Sequence, residues 1–108
     1  MKIISNKIIP FKGFKAINLF GFLFVRKEYN LSEIDINHEA IHSAQMKELL
    51  YVPFYIIYGI EWLIKLCIYR NMDKAYMNIS FEREAYFFQG DLDYLNRRKK
   101  YAWIKRIK

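Results

Sequence analysis

Residues 2–27 are built from apolar clusters separated by single charges. "KIISNKII" and "KAINLFGFLFVRK" are rich in Ile, Phe and Val, which suit a pleated, half-buried surface. "PFKG", Pro10 to Gly13, separates the two and reads as a turn. Gly21 marks a bulge or a second turn. The pattern predicts two or three antiparallel strands.

Beyond Leu31 the pattern becomes helical. Ser32 with Asp35 forms a capping pair and Asn37 is another candidate cap, so a helix starts between Leu31 and Asn37. Ile34, Ile41, Ala44 and Leu49 are its expected apolar face. Pro53 ends this helix and opens the next, because proline is tolerated in a first turn. "FYIIYGIEWLIKLCIYR", Phe54 to Arg70, is apolar on almost every face, as in a helix buried centrally or placed in a membrane. Glu61 and Lys65 shorten the apolar run below a typical span, which favours a buried helix in a soluble domain. "NMD" then makes a turn. A third helical region starts near Asp73, breaks or is capped at Ser80, and continues through "FEREAYFFQGDLDYLNRR" with a disturbance at Gly90. The expected fold is α+β: a small antiparallel sheet followed by three main helices, in one domain spanning residues 1–108.

Composition changes this picture in two places. The chain has 108 residues with nine Phe, nine Tyr and two Trp, which helps a short chain build a core. The single cysteine, Cys67, excludes an internal disulfide, fits a reducing compartment and is expected to be buried. No signal peptide is apparent, since Lys12 and Lys15 interrupt the early apolar region, so a cytoplasmic location is expected. The net charge of +7 comes from residues 97–108, which carry seven basic residues and no acidic ones. Such a segment can meet an anionic membrane surface, nucleic acid or an acidic cleft. It is equally a solvated helix end that complements the macrodipole. Of the anionic partners, a membrane surface is preferred to nucleic acid.

The candidate chemistry lies in "HEAIH", which holds both histidines of the chain. His38 and His42 are four apart, hence neighbours on one helix face, and can bind one Zn²⁺ from the same side. Glu39 is about 100° further around the helix. It can border the metal without ligating it and act as general base toward a bound water. Gln45, three residues after His42, can line the same face.

A third ligand must come from elsewhere. Glu61, Glu82 and Glu84 are the main candidates. If the chain turns at Val52-Pro53, Glu61 is level with His42, and the eighteen residues between them match the aminopeptidase-type HExxH-x18-E pattern. If it turns again near Asn71-Met72, Glu82 reaches the same level from the next helix. Glu82 and Glu84 point to nearly opposite sides of a helix, so only one of them can face the metal. Spacing alone does not choose between Glu61 and Glu82.

"HEAIH" followed some forty residues later by "FEREAY" resembles the gluzincins, whose third ligand is the first Glu of an E-x-x-A segment. The layout is similar to integral-membrane peptidases of the HtpX and BlaR/MecR types, and to their small soluble relatives, the minigluzincins. The resemblance implies Glu82 as third ligand and zinc as cofactor. It also implies peptidase activity on a peptide or protein substrate, and latency through a C-terminal segment that covers the cleft. Many such proteins have Asp after the Ala, where this chain has Tyr86. The place of that missing carboxylate can be taken by Glu61, which would then orient a ligating histidine. Tyr86 and Tyr58 are candidate oxyanion stabilisers.

The expected function is a zinc metallopeptidase in which Glu39 activates water. A strand just before the active helix, "GFLFVRK", would receive substrate by β-addition. The alternatives are a non-catalytic structural zinc protein and a basic module that binds membrane or nucleic acid through residues 97–108.

Overall fold

The computed structural model describes residues 2–8 and 15–107; the turn expected at Pro10–Gly13 lies outside them. Strands β1 (Lys2–Asn6), β2 (Ala16–Leu19) and β3 (Phe22–Arg26) precede the helices. Phe20 (φ 53°) and Gly21 (φ 88°) link β2 to β3 in a two-residue turn with both φ positive. That conformation follows the right-handed twist of a hairpin and favours glycine. Gly21 is thus a turn, not a bulge.

The sheet order is β1-β3-β2. β2 pairs antiparallel with β3, but β1 pairs parallel with β3, with Lys2 opposite Phe22. The sheet is therefore mixed, not wholly antiparallel. Alternation of apolar residues assigns side chains to faces and does not set strand direction, so the composition of β1 could not distinguish the two. The arrangement makes β3 the central strand, burying Leu23 and Val25, and leaves β2 at an edge.

Helix α1 (Glu33–Glu48) starts on a full capping box: Ser32 accepts from the Asp35 N–H, and Asp35 accepts from the Ser32 N–H. Its buried side is not the expected apolar face. Ile41 is buried, but Ile34 is exposed, and the other buried residues are Asn37, His38, His42, Gln45 and Met46. The inward stripe follows helical spacing, yet most of it is polar because it carries the site described below.

Helix α2 (Val52–Tyr69) opens with Pro53 in its first turn, as expected. It is not buried centrally. Phe54 is its one fully buried residue, while Ile56, Ile60, Leu63, Ile64 and Ile68 are exposed. Cys67, expected inside, is exposed as well. The near-uniform apolarity hid the fact that aromatic and polar residues, with Ile57, turn inward and most aliphatic ones outward.

The third helical region is divided. α3 (Met72–Met77) starts at Asn71, whose side chain accepts from the Lys74 N–H. After a break at Asn78-Ile79, α4 runs Ser80–Phe88. It ends before Gly90, and α5 is a single turn, Tyr94–Arg97. A 3₁₀ turn at Ala102–Arg106 follows. The basic segment is thus folded: Trp103 is buried in a cluster with Met46, Phe54, Ile79 and Phe81, its ring centroid 4.6 Å from that of Phe81. A second cluster joins Ile41, Ala85 and Tyr94, with Phe88 stacked on Tyr94. Between them the two clusters clamp α4 against α1.

Candidate metal centre

Polar contacts of three residues, Asn37, Asn18 and Glu61, set how α1, α2, α4 and β2 meet. The Asn37 amide nitrogen donates to the carbonyls of Phe88, Gln89 and Asp91, tying the end of α4 to the start of α1. The Asn18 amide donates to the Glu39 carbonyl and to Ser43 Oγ, tying edge strand β2 to α1. At the other end of α4, Glu61 of α2 accepts from the Ser80 N–H at 3.0 Å and from Ser80 Oγ at 2.5 Å. The residue preceding α4, Ile79, has no side chain able to cap it, so a carboxylate from another helix takes that role.

Held this way, α4 presents Glu82 to the two histidines. Glu82 Oε1 lies 3.2 Å from His38 Nε2 and 3.0 Å from His42 Nε2, and the two ring nitrogens are 3.1 Å apart. His38, His42 and Glu82 are all buried and offer one ligand atom each, within reach of a single metal ion. Around tetrahedral zinc, ligand bonds of about 2.0–2.1 Å give ligand–ligand edges of about 3.3 Å. The three observed separations match that triangle to within about 0.3 Å.

The remaining ring nitrogens show how the cluster could hold a cation. His42 Nδ1 lies 2.8 Å from Gln45 Oε1. The orientation of that amide is fixed by its other end, since Gln45 Nε2 donates to the Phe81 carbonyl and to Glu84 Oε1. His38 Nδ1 lies 2.8 Å from Gln89 Oε1. Both amide oxygens accept, so both Nδ1 atoms carry hydrogens. Neutral rings then point two Nε2 lone pairs and a carboxylate oxygen at one buried point. Such a cluster is satisfied only by positive charge: a metal ion, or a proton on a ring. Without metal, burial disfavours a charged His42 ring, but the Glu82 carboxylate outweighs it and pushes the pKa up to about 9. Burial likewise works against ionised Glu82, yet His42 and the hydrogen bonds from both rings and Tyr58 hold it well below the usual carboxylate range. The donor set of two imidazoles and one carboxylate suits zinc.

Each residue marked in the sequence has a definite place. Glu39 lines the cavities on both sides of the histidines, of about 270 and 160 Å³. Burial pushes its carboxyl up, more than His42 and His38 pull it down. Glu61 caps α4 through Ser80 and is not among the residues that converge on His38 and His42. Tyr58, almost one turn earlier on α2, is the residue that reaches Glu82, while the start of α4 lies opposite Glu61. Tyr58 donates to Glu82 Oε2 at 2.6 Å, which commits its hydroxyl to the ligand and leaves Oε1 for the metal. The Tyr86 ring sits edge-on to His38, 4.4 Å between centroids, and its hydroxyl is 3.3 Å from that of Tyr76. Glu84 faces away from the two histidines, where Gln45, Tyr94 and Arg98 bind it.

Two residues at the site were not marked beforehand. Gln89 follows Glu82 by seven residues, two helical turns, and that spacing was the available signal. Tyr76 lines both cavities beside Glu39, and nothing distinguishes it in sequence from the other eight tyrosines. The expected covering of the cleft by the C-terminal segment is not seen: no described residue beyond Gln89 lines either cavity. Compared with known protein families, with curated proteins and with solved structures, the chain finds no match.

Proposed function

We propose that the protein is a zinc-dependent peptidase. The observation that carries this reading is the pair of Nε2 lone pairs, fixed by Gln89 and Gln45, that converge with Glu82 Oε1 beside the carboxylate of Glu39. His38, His42 and Glu82 would hold the ion. Zinc bound there supplies a Lewis acid and lowers the pKa of water to near neutrality.

The rest of the chemistry belongs to the chain. Glu39, its carboxyl raised by burial, is suited to take a proton from the attacking water and return it to the leaving amine. Tyr76 brings a hydroxyl to the same cavity, where it can donate to a developing oxyanion. Edge strand β2, through Ala16, Ile17, Asn18 and Leu19, forms one wall of that cavity, opposite Tyr58 and Glu82. An extended peptide added to this edge would run past Glu39. The accepting strand is thus β2 and not the "GFLFVRK" strand, because β3 is central and paired on both sides.

The test is cleavage of a peptide library by purified, zinc-loaded protein, with Glu39→Gln as control. Cleavage that disappears in Glu39→Gln while zinc is retained supports the reading. A wild-type protein that holds zinc and cleaves nothing would leave a metal site without this activity.

A further inference from the structure

Helix α2 is amphipathic the wrong way round for a helix of a water-surrounded protein. Val52, Ile56, Ile60, Leu63, Ile64 and Ile68 are each between 53% and 63% exposed. At 100° per residue they share one face. Every strongly polar group of the helix leaves from the other. Tyr55 accepts from the Phe20 N–H, Tyr58 donates to Glu82, Glu61 caps α4, and Lys65 donates to the Ile107 carbonyl. The aliphatic face spans sixteen residue steps, about 24 Å. Contiguous exposed apolar surface on this scale marks an interaction site.

The Lys65 contact brings in charge. It places the end of the basic segment beside α2. Seven of the chain's 18 basic residues lie in that segment, and the rest balance the 11 acidic ones. Ile104 and Ile107, 52% and 42% exposed, are further exposed apolar side chains on either side of Lys105 and Arg106. The cationic surplus of the molecule therefore ends against the polar side of α2, where headgroups would meet it if the aliphatic face were immersed.

We propose that this face is a membrane-docking surface on which α2 lies flat in an anionic bilayer interface, with the metal centre held on its inward side. A protein partner would be met by aromatic, Met or Arg anchors and hydrogen-bonding groups. The outer face of α2 offers branched aliphatic chains and the Cys67 thiol. Acyl chains require only apolarity, and anionic headgroups account for the adjacent positive charge. By length and apolarity α2 could cross a bilayer, but its inward polar contacts bind it along its length to the remaining fold, which favours lying flat.

The experiment is flotation of full-length, zinc-supplied protein with mixed phosphatidylglycerol–phosphatidylcholine vesicles and with pure phosphatidylcholine vesicles. Binding to the anionic vesicles is expected, weakened by salt, and reduced at least about tenfold in Ile60→Glu/Ile64→Glu. Circular dichroism checks that the variant folds. Independently of that variant, an environment-sensitive fluorophore on Cys67, the only cysteine, should shift to the blue on adding anionic vesicles. An unshifted Cys67 probe, or a concentration-dependent dimer that Ile60→Glu/Ile64→Glu dissolves without any vesicle binding, would overturn the proposal.

Discussion

The side-chain oxygen of Gln45 lies 2.8 Å from Nδ1 of His42, and its nitrogen donates to Glu84. The pair explains how a buried helix face carries a ligand in one tautomer. Gln45 can only accept at that end, so His42 keeps its hydrogen on Nδ1 and its lone pair on the metal side. Gln45→Ala removes this constraint and leaves Glu84 short of a donor. Zinc affinity, measured by competition with a chelating dye, should fall roughly 10–100-fold, the usual cost of losing a partner of a ligating histidine. Unchanged affinity would mean that the ring is oriented by packing alone.

Glu61 and Glu82 separate into a helix cap and a candidate ligand. Glu82→Gln should abolish stoichiometric zinc binding, since it removes the negative charge that meets both rings. Glu61→Ala should keep the zinc and lower stability by roughly 1–2 kcal/mol, the cost of a lost helix cap, read as a Tm lower by about 5 °C or more. Metal analysis and thermal melts of the two variants would show the reverse pattern if Glu61 were the ligand.

What the sequence made legible was local. Ser32 with Asp35, Pro53 in a first turn and the His38–His42 spacing each act within one or two helical turns, so the residues carry their own instructions. Three-dimensional choices were not legible. A carboxylate that caps a helix and one that binds metal look alike, which left Glu61 and Glu82 tied until the break at Asn78-Ile79 was known. The apolarity of α2 showed a helix but not its outward aliphatic face, because Phe54, Tyr55, Tyr58 and Trp62 supply an equally apolar inner one. The basic segment read as solvated, since the other six charges mask Arg98 and Trp103, two of the residues that fold it in.

Arg98 makes that segment a brace. Its guanidinium donates to Glu84 at 2.5 Å and to Glu48 at 2.6 Å, with all three side chains buried. Through Glu84 and Gln45 it supports His42. Arg98→Ala leaves two buried carboxylates without their cation and should cost about 3–5 kcal/mol. Truncation before Arg98 should therefore lower the Tm and zinc retention, where a covering segment would have raised activity. A truncated protein that melts as the full chain does and cleaves peptide faster would restore the latency reading.

The metal and a proton compete for the same point, so pH should distinguish loaded from metal-free protein. His42 has its pKa raised from 6.5 to about 9 in the metal-free fold. A group with a raised folded pKa stabilises fully below its unfolded value and loses that contribution as pH climbs through the folded one. Metal-free protein should lose stability between pH 6.5 and about 9, by an amount on the order of 3 kcal/mol. Glu82 acts at the other end: its depressed pKa gives stability that is lost only as pH falls below the usual carboxylate range. With zinc bound, His42 has no proton on Nε2 to lose, so the alkaline decline should vanish. Zinc binding must also displace that proton, so apparent affinity should rise with pH up to about 9. Thermal melts across this range, with and without chelator, check both signs. Parallel curves for the two forms would mean that zinc is not held by His42.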